Sequence, residues 1–296
     1  MTLFDQSFDI ASLHAAYRDG LSPQVIADLC FARAAAVDDP GIFIHLCDPA
    51  MVAEQVNELG VFDAAAKPLW GVPFAIKDNI DAAGLPTTAG CPAFAFTPDK
   101  NAFAVQRLRD AGAILIGKTN LDQFATGLVG VRTPFPIPRN ALDPAIVPGG
   151  SSSGSAVAVG HGIVSFSLGT DTAGSGRVPA ALNNIVGLKP SLGAVSSSGL
   201  VPACRSIDTI SIFALTVDDA YTAFQAAAIY DDADSYSRPV PIPDLTELPS
   251  SFRIGIPDTG SIRFFGDKYQ AQAFDDAVDS IEALGGTCVP IDFSPF

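Results

Sequence analysis

Cationic side chains are scarce in this chain. Its 17 lysines and arginines face 32 aspartates and glutamates, for a formal net charge of −15 over 296 residues. A basic footprint for nucleic acid is therefore missing, and adhesion to an anionic membrane surface is disfavoured. No apolar run is long and clean enough to span a bilayer. The opening Met1-Thr2-Leu3-Phe4-Asp5-Gln6 lacks the basic start and apolar stretch of a secretion signal, so the expected location is cytoplasmic. Five cysteines, Cys30, Cys47, Cys91, Cys204 and Cys288, lie scattered with no CxxC spacing, which reads as free buried thiols in a reducing compartment. The three histidines, His14, His45 and His161, have no partner at metal-ligand spacing, and neither a dinucleotide fingerprint nor a P-loop occurs. No metal and no cofactor is expected.

Apolar residues are not scarce. At 48% of the chain they supply a substantial core, and the length fits one large or two small domains. Residues 9–19 carry Ile10, Leu13, Ala16 and Tyr17 at helical spacing before Gly20. Ser22-Pro23 then starts a second helix running to about Val37. Residues 49–65 read as a third helix, so that His14 and His45 fall in a helical N-terminal layer with structural roles. Trp70 to Asn79 is an apolar strand carrying Lys77 near its end. Residues 102–112 repeat at helical period, and Ala113 to Gly117 is a short buried strand, which completes a parallel strand–helix–strand unit. Leu121 to Ala125 reads as a helical turn, residues 126–147 as a Pro-rich loop, residues 216–229 as a helix and residues 231–250 as a surface connection. Phe252 to Ile256, residues 267–284 and Thr287 to Phe293 read as strand, helix and strand. The pattern is α/β.

Glycine and serine are concentrated between Pro148 and Pro179. Two glycine-serine turns, Pro148-Gly149-Gly150-Ser151-Ser152-Ser153-Gly154-Ser155 and Gly169-Thr170-Asp171-Thr172-Ala173-Gly174-Ser175-Gly176-Arg177-Val178-Pro179, enclose the apolar segments Ala156 to Val159 and Ile163 to Leu168. A flexible linker would not carry such segments, so the glycines belong to turns between packed elements. Backbone N–H groups and hydroxyls crowded there make a site for an anion or a developing oxyanion. Ser151 and Ser175 each follow a glycine turn that leaves the hydroxyl free of neighbouring side chains. Thr172, Ala173, Gly174 and Ser175 are the candidate oxyanion donors. Lys77, at the end of an apolar strand, would lose water and with it proton affinity, which is what a lysine acting as a general base requires. Taken one at a time, each feature also has a plain reading: a lysine reaching the surface, a turn without chemistry, a phosphate loop.

Together the three stretches resemble the amidase signature family, serine hydrolases with a Ser–cis-Ser–Lys triad. The residues that carry the likeness are Gly71 to Asp78, Pro148 to Ser155 and Gly169 to Ala180, with separations of 74 residues from Lys77 to Ser151 and 24 from Ser151 to Ser175. The resemblance implies that Ser175 is the nucleophile. Ser151, on a cis peptide bond after Gly150, would relay the proton, and Lys77 would be the terminal base. Asp171 and Arg177 would brace the nucleophile loop as an ion pair, with Ser152 adding a hydroxyl. The implied fold is an α/β amidase signature fold with a mixed, mostly parallel central sheet covered by helices and incomplete at its C-terminus. One domain would fill 1–296, with a helical layer over about 1–65 and an α/β core over about 66–296.

Asp122 to Arg132, Ala173 before Gly174, Phe265-Gly266-Asp267 and Pro290 to Phe296 are most similar to the allophanate hydrolase branch. The implied substrate is then the small amide allophanate, hydrolysed with release of ammonia, with Gly127 and Arg132 as candidate substrate contacts. A homodimer is the expected assembly. Pro136 after Phe135 stands where the family usually has glycine, which removes an N–H from that loop. The chain ends at Phe296, before the family's usual substrate-carboxylate contacts. The sequence therefore also leaves open an amidase acting on a neutral amide, and a shortened homologue without activity.

Overall fold

A computed structural model describes residues 3–295. The first helices begin where side chains can satisfy the unpaired N–H groups of a first turn. Asp9 accepts from Ser12 N at 2.8 Å ahead of α1 (Ile10–Arg18), and Ser22 accepts from Gln24 N at 3.2 Å ahead of α2 (Pro23–Val37). Asp48 does the same for Ala50 N at the start of α3 (Pro49–Glu58). That helix stops seven residues short of the expected end at 65. Gly60 takes a positive φ of 73°, and the Asp63 carboxylate collects the N–H groups of Ala65 and Ala66 into a turn. Between α2 and α3 lies a strand that periodicity did not show, β1 (Phe43–Leu46), so His45 sits on a sheet edge and not in a helical layer.

The central sheet has six strands in the order β1, β3, β2, β4, β6, β5. β2 (Pro73–Lys77) runs parallel to both of its neighbours, β3 (Ile114–Thr119) and β4 (Phe166–Asp171). The helix α4 (Phe103–Asp110) makes the crossover from β2 to β3. Outside this parallel centre the pairings are antiparallel: β1 with β3, β4 with β6 (Thr209–Ala214), and β6 with β5 (Val186–Leu188). The four inner strands are buried along their whole length. Strands buried on both faces read as continuous apolar runs, without alternation. Phe74 and Phe166 stack across β2 and β4 with centroids 5.3 Å apart.

One helix lies directly over the sheet centre. α5 (Ser153–Gly160) packs on β2, β3, β4 and β6, and all of its residues but the last are buried. Small side chains are what allow this approach: a Cβ on Gly154 would lie 2.2 Å from Ile42 O and 2.6 Å from Asn120 N. The short α6 (Arg177–Leu182) follows β4, and α7 (Val217–Ala227) follows β6, capped by the Thr216 hydroxyl. Residues 126–147 form the expected irregular loop. Asn120 anchors it by donating to Pro136 O at 2.8 Å and accepting from the Thr133 hydroxyl, so Pro136 contributes its carbonyl and needs no N–H.

Residues up to Pro243 form one compact unit, and those from Asp244 onward a second, where the sequence reading had a continuous core from 66 to 296. The second unit is β7 (Phe252–Pro257), α8 (Lys268–Ala283) and β8 (Gly286–Ile291), with the two strands parallel. Asp267 caps α8 by accepting from Tyr269 N and Gln270 N, both at 3.0 Å. All five cysteines are free. Cys30 and Cys47 are buried as expected, whereas Cys204 is exposed.

Candidate active site

Lys77 is the last residue of β2, between β3 and β4, and it has no exposed surface. Its Nζ donates to two hydroxyls, Ser151 Oγ and Thr170 Oγ1, each at 2.7 Å. Burial pulls its pKa from 10.5 to about 7, and the negative charges of Asp122, Asp208 and Asp171 only partly oppose that fall. Near pH 7 the amine is thus divided between its two protonation states.

Ser151 is fixed by its backbone. The Gly150–Ser151 peptide is cis, Gly150 N donates to Leu128 O at 2.8 Å, and Ser151 O accepts from Asp122 N at 3.0 Å. Gly150 is required for contact reasons, since a Cβ there would lie 2.2 Å from Asp122 Oδ2 and 2.5 Å from Gly130 N. Ser152 does not reach Ser175. Its hydroxyl bridges the N–H and C=O of Thr170, both at 3.2 Å, and so holds the strand position that carries the second hydroxyl on Lys77.

Ser175 sits in the turn between β4 and α6, 3% exposed. The turn is built on Asp171. One carboxylate oxygen accepts from Gly174 N (2.8 Å) and Arg177 Nη2 (3.0 Å). The other accepts from Gly176 N (3.1 Å), Arg177 N (3.2 Å) and Arg177 Nε (2.9 Å). Burial raises the Asp171 pKa, but the Arg177 guanidinium and these N–H groups outweigh it and hold it below the ordinary 3.8. Asp171 and Arg177 therefore form an ion pair around the turn. The arrangement alters the set of free donors. Gly174 N–H belongs to Asp171, so among the described residues the donors without a protein partner are the N–H groups of Thr172, Ala173 and Ser175.

The Ser175 hydroxyl donates to Gly127 O at 3.3 Å, and no hydrogen bond joins it to Ser151 among the described residues. Gly127 is thus brought to Ser175 through its carbonyl. Arg132 is not brought there. It lines a cavity of about 580 Å³ with Gln123, Phe124, Thr126, Val131, Thr133 and Pro134, and none of Lys77, Ser151 or Ser175 lines it. The Arg132 backbone N–H donates to Asp122 Oδ1 at 2.7 Å, and its side chain is exposed and forms no ion pair among the described residues.

Three contributors had no role in the sequence reading. Thr170 and Asp122 lie inside stretches that reading singled out, but nothing in the spacing shows that one meets Lys77 from the next strand or that the other collects Gly130 N and Arg132 N. Asp208 gave no signal at all: it lies just before β6 and accepts the Thr172 hydroxyl at 2.5 Å. A second buried lysine was also missed. Lys118 and Asp78, both without exposed surface, form an ion pair at 3.2 Å one residue beyond Lys77.

The chain as a whole is similar to known proteins. The family model described as Amidase matches residues 26–296. The urea amidolyase of Lachancea kluyveri is 46% identical over 276 residues, which is 93% of this chain and 15% of that protein. Among solved structures, Kluyveromyces lactis allophanate hydrolase superposes with a TM-score of 0.86 at 43% identity, covering 97% of this chain and 47% of that one. The peptide amidase of Stenotrophomonas maltophilia gives a TM-score of 0.83 at 34% identity, over 96% of this chain and 62% of that one. The chain thus spans less than half the length of its urea amidolyase and allophanate hydrolase relatives. A match over nine-tenths of its residues, with a lysine, a serine after a cis peptide bond and a second serine beside unpaired N–H groups, establishes that this chain belongs to the amidase family.

Proposed function

We propose that the chain is the amide-hydrolysing part of an enzyme that acts on allophanate, with Ser175 as nucleophile, Ser151 as proton relay and Lys77 as base. The observation that supports this reading most is the fully buried Lys77, held near neutral pKa and bonded to Ser151 at 2.7 Å. A neutral lysine there takes the Ser151 proton as Ser151 takes the proton of Ser175. The Ser175 oxygen forms its bond to the amide carbon, and the carbonyl electrons move onto oxygen. The N–H groups of Thr172, Ala173 and Ser175 receive that oxyanion. When it collapses, the C–N bond breaks, the proton returns through Ser151 to the nitrogen, and ammonia leaves. Water then cleaves the acyl-serine by the same proton path. To begin, the Ser175 hydroxyl must turn from Gly127 O towards Ser151, a tightening expected when substrate enters.

Allophanate is an anion, and the chain carries −15, so local cations must offset long-range repulsion. The Gly127 turn at Ser175 is the proposed substrate contact, and Arg132, further along the same loop and lining a separate cavity, is the proposed local cation that draws the anion in, in a cytoplasmic and homodimeric enzyme. Similarity to a peptide amidase favours a second reading, hydrolysis of a neutral amide. Labelling with a fluorophosphonate, followed by ammonia release from allophanate and from a neutral amide side by side, tests both. Absence of labelling at Ser175 would end the serine-hydrolase reading. Release from the neutral amide alone would end the allophanate reading.

A further inference from the structure

We propose that Asp208 is a positioning residue for this site: it grips Thr172 and so sets the placement of the donor turn 172–175. The proposal rests on the amidase reading above. Asp208 is 8% exposed, and both of its carboxylate oxygens are engaged. Oδ1 accepts from the Thr172 hydroxyl at 2.5 Å and from Cys204 N at 3.1 Å. Oδ2 accepts from Ala203 N at 2.9 Å and Cys204 N at 3.0 Å. One carboxylate thereby joins the turn before β6 to the first residue of the turn after β4.

The donor turn is then held from two sides. Asp171 takes Gly174 N, Gly176 N and Arg177, and Asp208 takes Thr172. The two anchors are themselves in register: Asp171 pairs with Thr209, whose hydroxyl donates to Asp171 O at 2.9 Å. What lies between the anchors is the set of N–H groups without a protein partner, on Thr172, Ala173 and Ser175. Donors aimed at a developing charge act by being fixed beforehand, and a displacement of about 1 Å costs on the order of 100-fold in rate. Thr172 has no other side-chain hydrogen bond among the described residues, so its placement depends on Asp208. The carboxylate has a second effect through its charge. With Asp122 on the loop after β3 and Asp171 at the end of β4, it is one of three negative groups that favour the Lys77 proton against burial.

The test uses the full chain with Asp208→Asn, Thr172→Val and Thr172→Ser. The rate of fluorophosphonate labelling is read across pH, and deuterium exchange is read at the hydrogen-bonded amides of the turn, Gly174 and Gly176. Thr172→Val is expected to slow labelling roughly 10- to 100-fold without moving the acid limb of the profile, and Thr172→Ser to restore the rate. Asp208→Asn is expected to slow labelling similarly and to move the acid limb to lower pH, because one charge favouring protonated Lys77 is gone. Exchange at Gly174 and Gly176 is expected to quicken in both slow variants. Labelling of Asp208→Asn at the parent rate, or slowed labelling with unmoved exchange and an unmoved limb, overturns the proposal. Should Asp208→Asn fail to fold, Thr172→Val decides: the parent rate with parent exchange overturns it. If the parent chain is not labelled at Ser175, it is the amidase reading that fails. The exchange arm then still decides the grip, and unchanged exchange in Asp208→Asn overturns it.

Discussion

The Nζ of Lys77 stands 2.7 Å from the Ser151 hydroxyl, and neither residue has any exposed surface. Among the described residues, both hydrogen-bond partners of this amine are hydroxyls and no carboxylate forms an ion pair with it. Lys118, buried to the same degree one strand away, has Asp78 at 3.2 Å. Burial lowers the pKa of both lysines, but only Lys118 has a carboxylate in contact to favour its charge. The two lysines are thus equipped for different work, Lys77 to exchange a proton and Lys118 to keep one.

The first prediction is the pH dependence of Lys77. Activity is expected to rise with pH through about 7 as the amine becomes neutral. Lys77→Met is expected to lose the activity by a factor of about 10² to 10⁴. Stability has its own signature. Between about 7 and 10.5 the unfolded chain binds a proton that the folded chain releases, so folding stability rises with pH across that window. Below about 7 the full cost of burying the cation applies, on the order of 4 to 5 kcal/mol. Urea melts of parent and Lys77→Met from pH 6 to 10 check this; parallel stabilities would remove the depressed lysine.

Removal of the Ser175 hydroxyl should separate chemistry from folding. Among the described residues the side chain makes one hydrogen bond, to Gly127 O at 3.3 Å, so Ser175→Ala is expected to change stability by no more than about 1 kcal/mol. Amide hydrolysis and fluorophosphonate labelling are both expected to vanish. Thermal melts with active-site labelling measure the two quantities, and retained labelling would move the nucleophile elsewhere.

Asp171 and Arg177 should not be equivalent, although they form one pair. Arg177→Ala leaves Asp171 with three N–H donors, and the arginine side chain is 58% exposed, so a cost of about 1 kcal/mol is expected. Asp171→Ala strands those donors and should cost about 3 kcal/mol or more. The folded pKa of Asp171 lies below 3.8, so its contribution is complete above that pH and is lost as pH falls through the folded value. Chemical denaturation of both variants at neutral and acid pH reads the asymmetry, and equal costs would contradict it.

Gly127 is where the smallest addition should have a large effect. A Cβ there would lie 2.5 Å from Asp122 Oδ2, on a carboxylate already holding Gly130 N at 3.0 Å and Arg132 N at 2.7 Å. The carboxylate cannot yield cheaply, so the turn carrying Gly127 O must shift relative to Ser175. Gly127→Ala is expected to lower kcat on the order of 100-fold while the chain stays folded. Steady-state kinetics with circular dichroism check it, and a variant as active as the parent would show that the turn tolerates the methyl.

Much of this protein is legible in one dimension. The helices at 10–18, 23–37, 103–110 and 217–227 follow from apolar spacing and caps, and the glycine-serine turns with Lys77 at their separations carry the resemblance to the amidase family, which implies amide cleavage. Local preference and short-range hydrogen bonding set these features, so the chain states them locally. β1, β5 and β6 were not legible as sheet members, because short strands are defined by partners far along the chain. The same reason hid Thr170, Asp122 and Asp208. Each acts on Lys77 or on the donor turn through a contact or a charge that exists only once β2, β4 and β6 lie side by side. Residue types and spacing determined which groups were available for chemistry. Burial, register and the assignment of Gly174 N–H to Asp171 decided which of them were left free to use.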